Sequence, residues 1–151
     1  MLTTLPRTVI ILGALAFSAA ASPNFSGHWK LNAEKSKLDD PFQEERTIDH
    51  KDPELTLSVK ATFDGEEQES KIKFTTDGKE TRTMVDGDPL FTVAHWDGDA
   101  LVCESTSIGD TDTTEVHDRW TLSSDGKVLT VARTVKVGSD TREMVLVFDL
   151  I

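Results

Sequence analysis

The sequence predicts an all-β fold, an antiparallel up-and-down barrel of about eight to ten strands. Three observations carry that reading. Leu55, Leu57, Val59, Ala61 and Phe63 alternate with Thr56, Ser58, Lys60 and Thr62, a period of two that puts one face in a core and the other in water. Turn signals then recur: Asp64-Gly65, Asp77-Gly78, Asp86-Gly87, Asp97-Gly98, Asp125-Gly126 and Gly138-Ser139. They break the chain every ~8–15 residues, the spacing of a sandwich or barrel. Finally, every connection after Arg46 is short enough to join antiparallel neighbours. Such a meander leaves two bare edges unless it closes on itself, so the first strand is expected to pair with the last. A two-sheet sandwich is the alternative.

The elements follow in order. Residues 1–21 read as a secretory signal peptide: a weakly positive start with Arg7, an apolar run from Val9 to Phe17 too short to span a bilayer, then Ala19-Ala20-Ala21 before Ser22. An uncleaved anchor is the rival reading. Residues 22–151 form the one expected domain. Its first strand is Phe25 to Leu31, with Phe25, Gly27, Trp29 and Leu31 on one face and Ser26, His28 and Lys30 on the other. A glycine inside a strand marks a bend or a close approach. Asn32 to Glu45 is the longest connection; Asn32 is placed to cap a short helical turn that Pro41 ends. Strands are then expected over 46–50, 55–63, 69–75, 81–85, 90–96, 100–106, 113–122, 128–137 and 141–150.

Charge and cysteine usage narrow the function. The chain carries a formal net charge of −11, and the leader holds only Arg7 among charged residues, so the mature chain is one unit more negative. A surface that acidic repels phosphate backbones and anionic lipid headgroups, so no nucleic-acid partner is expected. No membrane span is expected after leader removal. The single Cys103 has no partner for an internal disulfide and reads as a small buried apolar group. His28, His50, His95 and His117 form no compact metal motif, and the aspartate pairs are explained by turn chemistry. No nucleophile–base–orienter set, phosphate loop or Cys-x-x-Cys is present, so no catalytic residue, metal or cofactor is assigned and the chain is not expected to be an enzyme.

Asn24-Phe25-Ser26-Gly27-His28-Trp29-Lys30-Leu31 resembles the Gly-x-Trp opening of the calycins, which include lipocalins and fatty-acid-binding proteins. Trp96-Asp97-Gly98-Asp99-Ala100-Leu101-Val102 is similar to a Trp-Asp-Gly hairpin late in fatty-acid-binding proteins. The mature chain also looks like secreted bacterial lipocalin-like proteins of unassigned role. Glu34-Lys35-Ser36, Asp49-His50-Lys51-Asp52-Pro53, Asp118-Arg119-Trp120 and Asp125-Gly126-Lys127-Val128-Leu129-Thr130 match their pattern. The chain departs from fatty-acid-binding proteins in two ways. It has too few residues between its first two strands for their helical pair, and it lacks tyrosine, hence their Arg-x-Tyr. The resemblance implies a periplasmic or secreted barrel, expected to be a monomer, that binds a small hydrophobic or amphipathic molecule. A filled barrel acting as a structural or protein-interaction module is the alternative, and an enzyme using the cavity is a third.

The expected ligand-binding set is Arg133, Arg142, Trp29, Trp120, Phe63, Phe74 and Phe91. Arg133 shares parity with Leu129, Val131 and Val135, and Arg142 with Met144, Leu146 and Phe148, so both are expected to point inward. An inward guanidinium needs a carboxylate or an aromatic face. In calycins a basic residue on a late strand packs across the motif tryptophan. The resemblance therefore implies that Arg133 or Arg142 stacks on Trp29 while the other meets an anionic ligand. Haem-binding barrels of this fold leave His95 or His117 as an alternative axial ligand.

Overall fold

The structure, a computed structural model, describes residues 21–151; the expected leader, apart from Ala21, lies outside them. The described chain forms β1 (Gly27–Leu31), β2 (Gln43–Lys51), β3 (Glu54–Phe63), β4 (Glu66–Thr75), β5 (Thr81–Val85), β6 (Asp88–Asp97), β7 (Ala100–Ile108), β8 (Thr113–Leu122), β9 (Val128–Val137) and β10 (Asp140–Leu150). All ten belong to one antiparallel sheet, in the order β4-β3-β2-β1-β10-β9-β8-β7-β6-β5. The first strand does pair with the last: Trp29 faces Leu150 and Leu31 faces Phe148.

Hairpin chemistry sets the register. Asp64 and Gly65 both have positive φ, as do Asp86 and Gly87. That is the turn whose twist matches the strands it joins. Gly27 lies at φ 152°, and a Cβ there would sit 2.6 Å from Leu150 Cδ1 and 3.2 Å from Trp29 Nε1. The close approach expected at this glycine is therefore made by side chains, not by another backbone.

Closure is incomplete. No hydrogen-bonded ladder joins β4 to β5; they lie side by side, with the Thr83 hydroxyl donating to the Lys73 carbonyl at 3.4 Å across the gap. The expectation that closure removes both edges fails here. The chain's ends close the barrel, and its middle leaves it ajar.

The connection from Asn32 to Phe42 is a turn, not a helix: the Lys35 amide donates to Asn32 Oδ1 at 3.2 Å. It then runs along β10, where Lys37 bridges Val145 and the Val147 amide donates to Ser36 Oγ at 2.9 Å. It extends the short β1 along its neighbour and places no helix over the barrel's mouth.

Inward positions grade from fully buried at one end to exposed at the other. Phe25, Trp29, Leu55, Phe74, Leu101, Trp120, Leu129, Val131, Leu146 and Phe148 fill the closed end. Each such side chain stabilises by about 1.5–3 kcal/mol when fully buried. The β2–β3, β4–β5, β6–β7 and β8–β9 turns and both termini share this end. Here the rings of Phe25, His50 and Trp96 form a triangle, each centroid 5.8–5.9 Å from the other two. His50 Nδ1 accepts the Phe25 amide at 3.2 Å, which leaves Nε2 to donate to Asp52 at 3.2 Å. Asp52 also accepts the Thr76 hydroxyl and the Trp96 indole. At the other end Phe63, Met84, Ile108 and Val137 stand exposed on a rim made by the remaining turns.

Candidate functional site

Between the packed end and the rim the barrel carries a layer of charge. On β2, Glu44 and Arg46 share the inward face with Ile48 and His50, and all four are buried. Arg46 is 2% exposed and lies next to Trp29 in the β1–β2 register. Its guanidinium sits 4.1 Å from the centre of the Phe148 ring and 5.8 Å from that of Trp120. Across the barrel, Cys103, Asp118, Arg133 and Met144 form one inward row through β7, β8, β9 and β10. Arg133 Nε and Nη2 each donate to Asp118 at 2.8 Å, a bidentate pair.

The two arginines are held differently. Arg46 Nε donates to Glu44 Oε1 at 2.7 Å and Nη2 reaches the same oxygen. Nη1 reaches nothing: among the described residues it is the one buried side-chain nitrogen or oxygen without a hydrogen-bond partner. Burial lowers the Arg46 pKa, and the positive field of Arg133 adds to this against the pull of Glu44 and Asp118. For Arg133 burial also opposes the charge, but Asp118 more than offsets it and the pKa is raised. Cys103 beside them is pushed strongly upward, first by burial and then by Asp118, which holds it as a thiol.

Above this layer the inward residues change character. Val59, Ile72, Val116, Val135 and Met144 are half-buried. Thr81, Thr83, Thr92, Ser105, Ser107 and Thr114 occupy inward positions on the four successive strands β5 to β8. Above the charged layer, apolar and hydroxylated side chains alternate around the inner face: Ser70 stands beside Val59, Leu90 between Thr83 and Ser107, and Val116 beside Ser105.

The expected site residues scatter over this frame. Arg133 lies in the charged layer, paired with Asp118 rather than stacked on Trp29. Arg142 shares the inward parity but is exposed at the rim. Trp29, Trp120 and Phe74 belong to the packed end: Trp29 Nε1 donates to the Phe25 carbonyl at 3.0 Å, and Trp120 meets Phe25 and Phe74 edge-on. Phe63 is 45% exposed at the rim, stacked on Phe42. Phe91 does not face the interior. Thr92 and Ala94 are the buried parity of β6, which sends Phe91 outward against Arg82. The implied arginine–tryptophan stack is also corrected: the buried arginine comes from the second strand, and it covers Phe148 and Trp120. His95 and His117 are exposed and point outward, His117 beside Glu104. Neither is placed to ligate a haem within the barrel.

Sequence reasoning missed Arg46 and Glu44. The usable signal is parity with Ile48, but Glu45, Thr47 and Asp49 make the other face of that strand equally polar. Among the described residues no group of three or more His, Cys, Asp or Glu is placed to hold a metal ion.

No protein-family model matches the sequence, and no curated protein matches it at a significant level. Solved structures do. A Schistosoma mansoni fatty acid binding protein in complex with arachidonic acid is 18% identical, with a TM-score of 0.54 over 84% of this chain and 96% of that one. Secretory abundant heat soluble protein 4 from Ramazzottius varieornatus is 16% identical, with a TM-score of 0.56 over 88% and 99%. Human cRBP IV is 13% identical, with a TM-score of 0.55 over 85% and 99%. With most of each chain aligned, and with its own meander of ten strands left ajar in the middle, this chain has the antiparallel β-barrel fold of these fatty-acid-binding-protein-like structures.

Proposed function

We propose that this chain binds a small hydrophobic or amphipathic molecule in the open half of its barrel, as a monomer in the periplasm or outside the cell. The ligand's polar head points to the charged layer, between Arg46 and Arg133, and its apolar part lies along Val59, Ile72, Val135 and Met144. The observation that carries the reading is Arg46 Nη1. A buried donor without a partner costs about 1–3 kcal/mol, more for a charged group, and an acceptor atom brought in by a ligand recovers that cost. The fold supports the same reading, since similar barrels include one solved in complex with arachidonic acid. No step of catalysis is assigned to the site.

The test is a titration with the anionic probe anilinonaphthalene sulfonate, followed by displacement with dodecanoate. The Glu44→Leu/Arg46→Met double variant is run in parallel, because it removes both charges together and leaves neither stranded. Saturable one-to-one binding by the parent, weakened about tenfold or more in the double variant, supports the proposal. Absence of saturable binding overturns it in favour of a filled barrel working through its acidic outer face. Native mass spectrometry of the purified protein reads oligomeric state and any retained adduct, and N-terminal sequencing of secreted material reads cleavage after Ala21.

A further inference from the structure

The charged layer inside the barrel is balanced one to one. Glu44 pairs with Arg46, and Asp118 pairs with Arg133. The four form one electrostatic unit: both carboxylates and Arg133 act on Arg46, and both carboxylates act on Arg133. The other charged residues of inward parity on the described strands, Glu66, Asp88, Asp140 and Arg142, stand at the rim ends, and all but Arg142 are acidic. Below the layer, His50 is neutral while its Nδ1 accepts the Phe25 amide. Among the described residues, then, the interior holds no cation beyond those its own carboxylates already balance.

What the layer lacks is an acceptor. Arg46 Nη1 is a buried donor with no partner, whereas Arg133 spends Nε and Nη2 on the two oxygens of Asp118. A carboxylate head brought to Nη1 would supply an oxygen and also a charge. It would leave the layer with one negative charge in excess, beside Glu44 and Asp118, and like charges out of water disfavour one another. An ammonium head would offer no acceptor and would meet two guanidiniums. A carbonyl, ester or hydroxyl oxygen supplies the acceptor alone.

Resting on the binding reading above, we infer that the preferred ligand is an amphipathic molecule with an uncharged oxygen head, a ketone, ester or alcohol, whose oxygen accepts from Arg46 Nη1. The carboxylate of the same chain is the disfavoured relative. Glu44 sets the preference: it cancels the charge of Arg46 through Nε and Nη2 and leaves Nη1 as a plain donor.

The experiment compares methyl decyl ketone, dodecanol and dodecanoate by displacement of the uncharged probe phenylnaphthylamine. The parent and two near-isosteric variants, Glu44→Gln and Asp118→Asn, are used, with circular dichroism and the thermal midpoint confirming that each is folded. The parent is expected to bind the ketone and the alcohol about tenfold more tightly than dodecanoate. Each variant leaves the layer one positive charge in excess, so the ratio is expected to shift about tenfold or more toward dodecanoate. Either variant decides the point if the other does not fold. A parent that binds dodecanoate as tightly as the ketone overturns the inference. So does a ratio that stays at the parent's value in a folded variant, because the preference would then come from the chain's general affinity for an apolar interior. If none of the three ligands displaces the probe, the binding reading itself fails, which is a different outcome from equal binding.

Discussion

At the closed end of the barrel, the inward positions hold Trp29, Trp120, Leu129, Val131, Leu146 and Phe148, all buried. One or two residues farther along the same face, the same parity yields Met144, Val135, Val116, Ser105 and Thr92, most of them half-buried. The strands are continuous and the pleat is the same. The difference is in what fills the space: large aromatics and leucines interdigitate at one end, and small or polar side chains stop short of the centre at the other. On the proposed reading, stability and recognition fall to opposite halves of each strand, with the Glu44–Arg46 and Asp118–Arg133 pairs at the boundary.

Substitutions can break that division or sharpen it. Trp120→Ala is expected to cost the most, about 3–5 kcal/mol, since it removes the ring that meets Phe25 and Phe74 and underlies Arg46. A guanidinium chloride midpoint close to the parent's would show that the closed end is not the source of stability. Arg46→Met alone strands a buried Glu44 and is expected to cost about 3 kcal/mol. Adding Glu44→Leu is expected to restore most of it, and a double-mutant cycle measures the difference. Gly27→Ala should cost about 1–3 kcal/mol. Its φ of 152° suits glycine, whereas the Leu150 methyl at 2.6 Å ends a flexible side chain that can move. Phe63→Ala, at the rim, is expected to shift stability by less than about 1 kcal/mol while weakening ligand binding. An equal loss there and at Trp120 would erase the contrast between the halves.

The smallest expected effect is on pH dependence. The Thr76 hydroxyl, then His50 and Trp96, hold the Asp52 carboxyl below the usual carboxylate range, while burial acts the other way. A carboxyl depressed on folding stabilises above its unfolded pKa of about 3.9, and that stabilisation is lost as the pH falls through the folded value. Because Asp52 is half exposed, screening keeps the contribution small. Asp52→Asn is therefore expected to reduce the drop in thermal midpoint between neutral and acid pH by about 2 °C. Calorimetry of the two proteins at both pH values checks it.

The barrel is legible where one face of a strand is apolar and the other is not. The strand from Val128 to Val137 announces its parity through Leu129 and Val131, so the residue pattern alone places Arg133 inside. Phe91 defeats the same reasoning because Leu90, Phe91, Val93 and Ala94 put apolar residues on both parities; the inward parity proves to be that of Leu90, Thr92, Ala94 and Trp96. Arg46 stays hidden for the converse reason, a strand polar on both sides. The gap is invisible for a third reason. The connection from Thr76 to Glu80 differs little in length from others that join paired strands, and a ladder that fails to form leaves no residue pattern of its own.

That unzipped seam has a consequence for how the molecule behaves in a crowd. It leaves β4 and β5 with backbone groups not tied to each other, the kind of edge on which a foreign strand can polymerise. The sequence guards it. β4 begins Glu-Glu-Gln-Glu-Ser-Lys-Ile-Lys, dense in charge, and Arg82 stands exposed on β5. A neighbouring copy that approached edge to edge would have to strip water from these side chains, against the repulsion of two bodies that are both strongly negative. The acidic composition, which named no partner, serves here as protection against self-association.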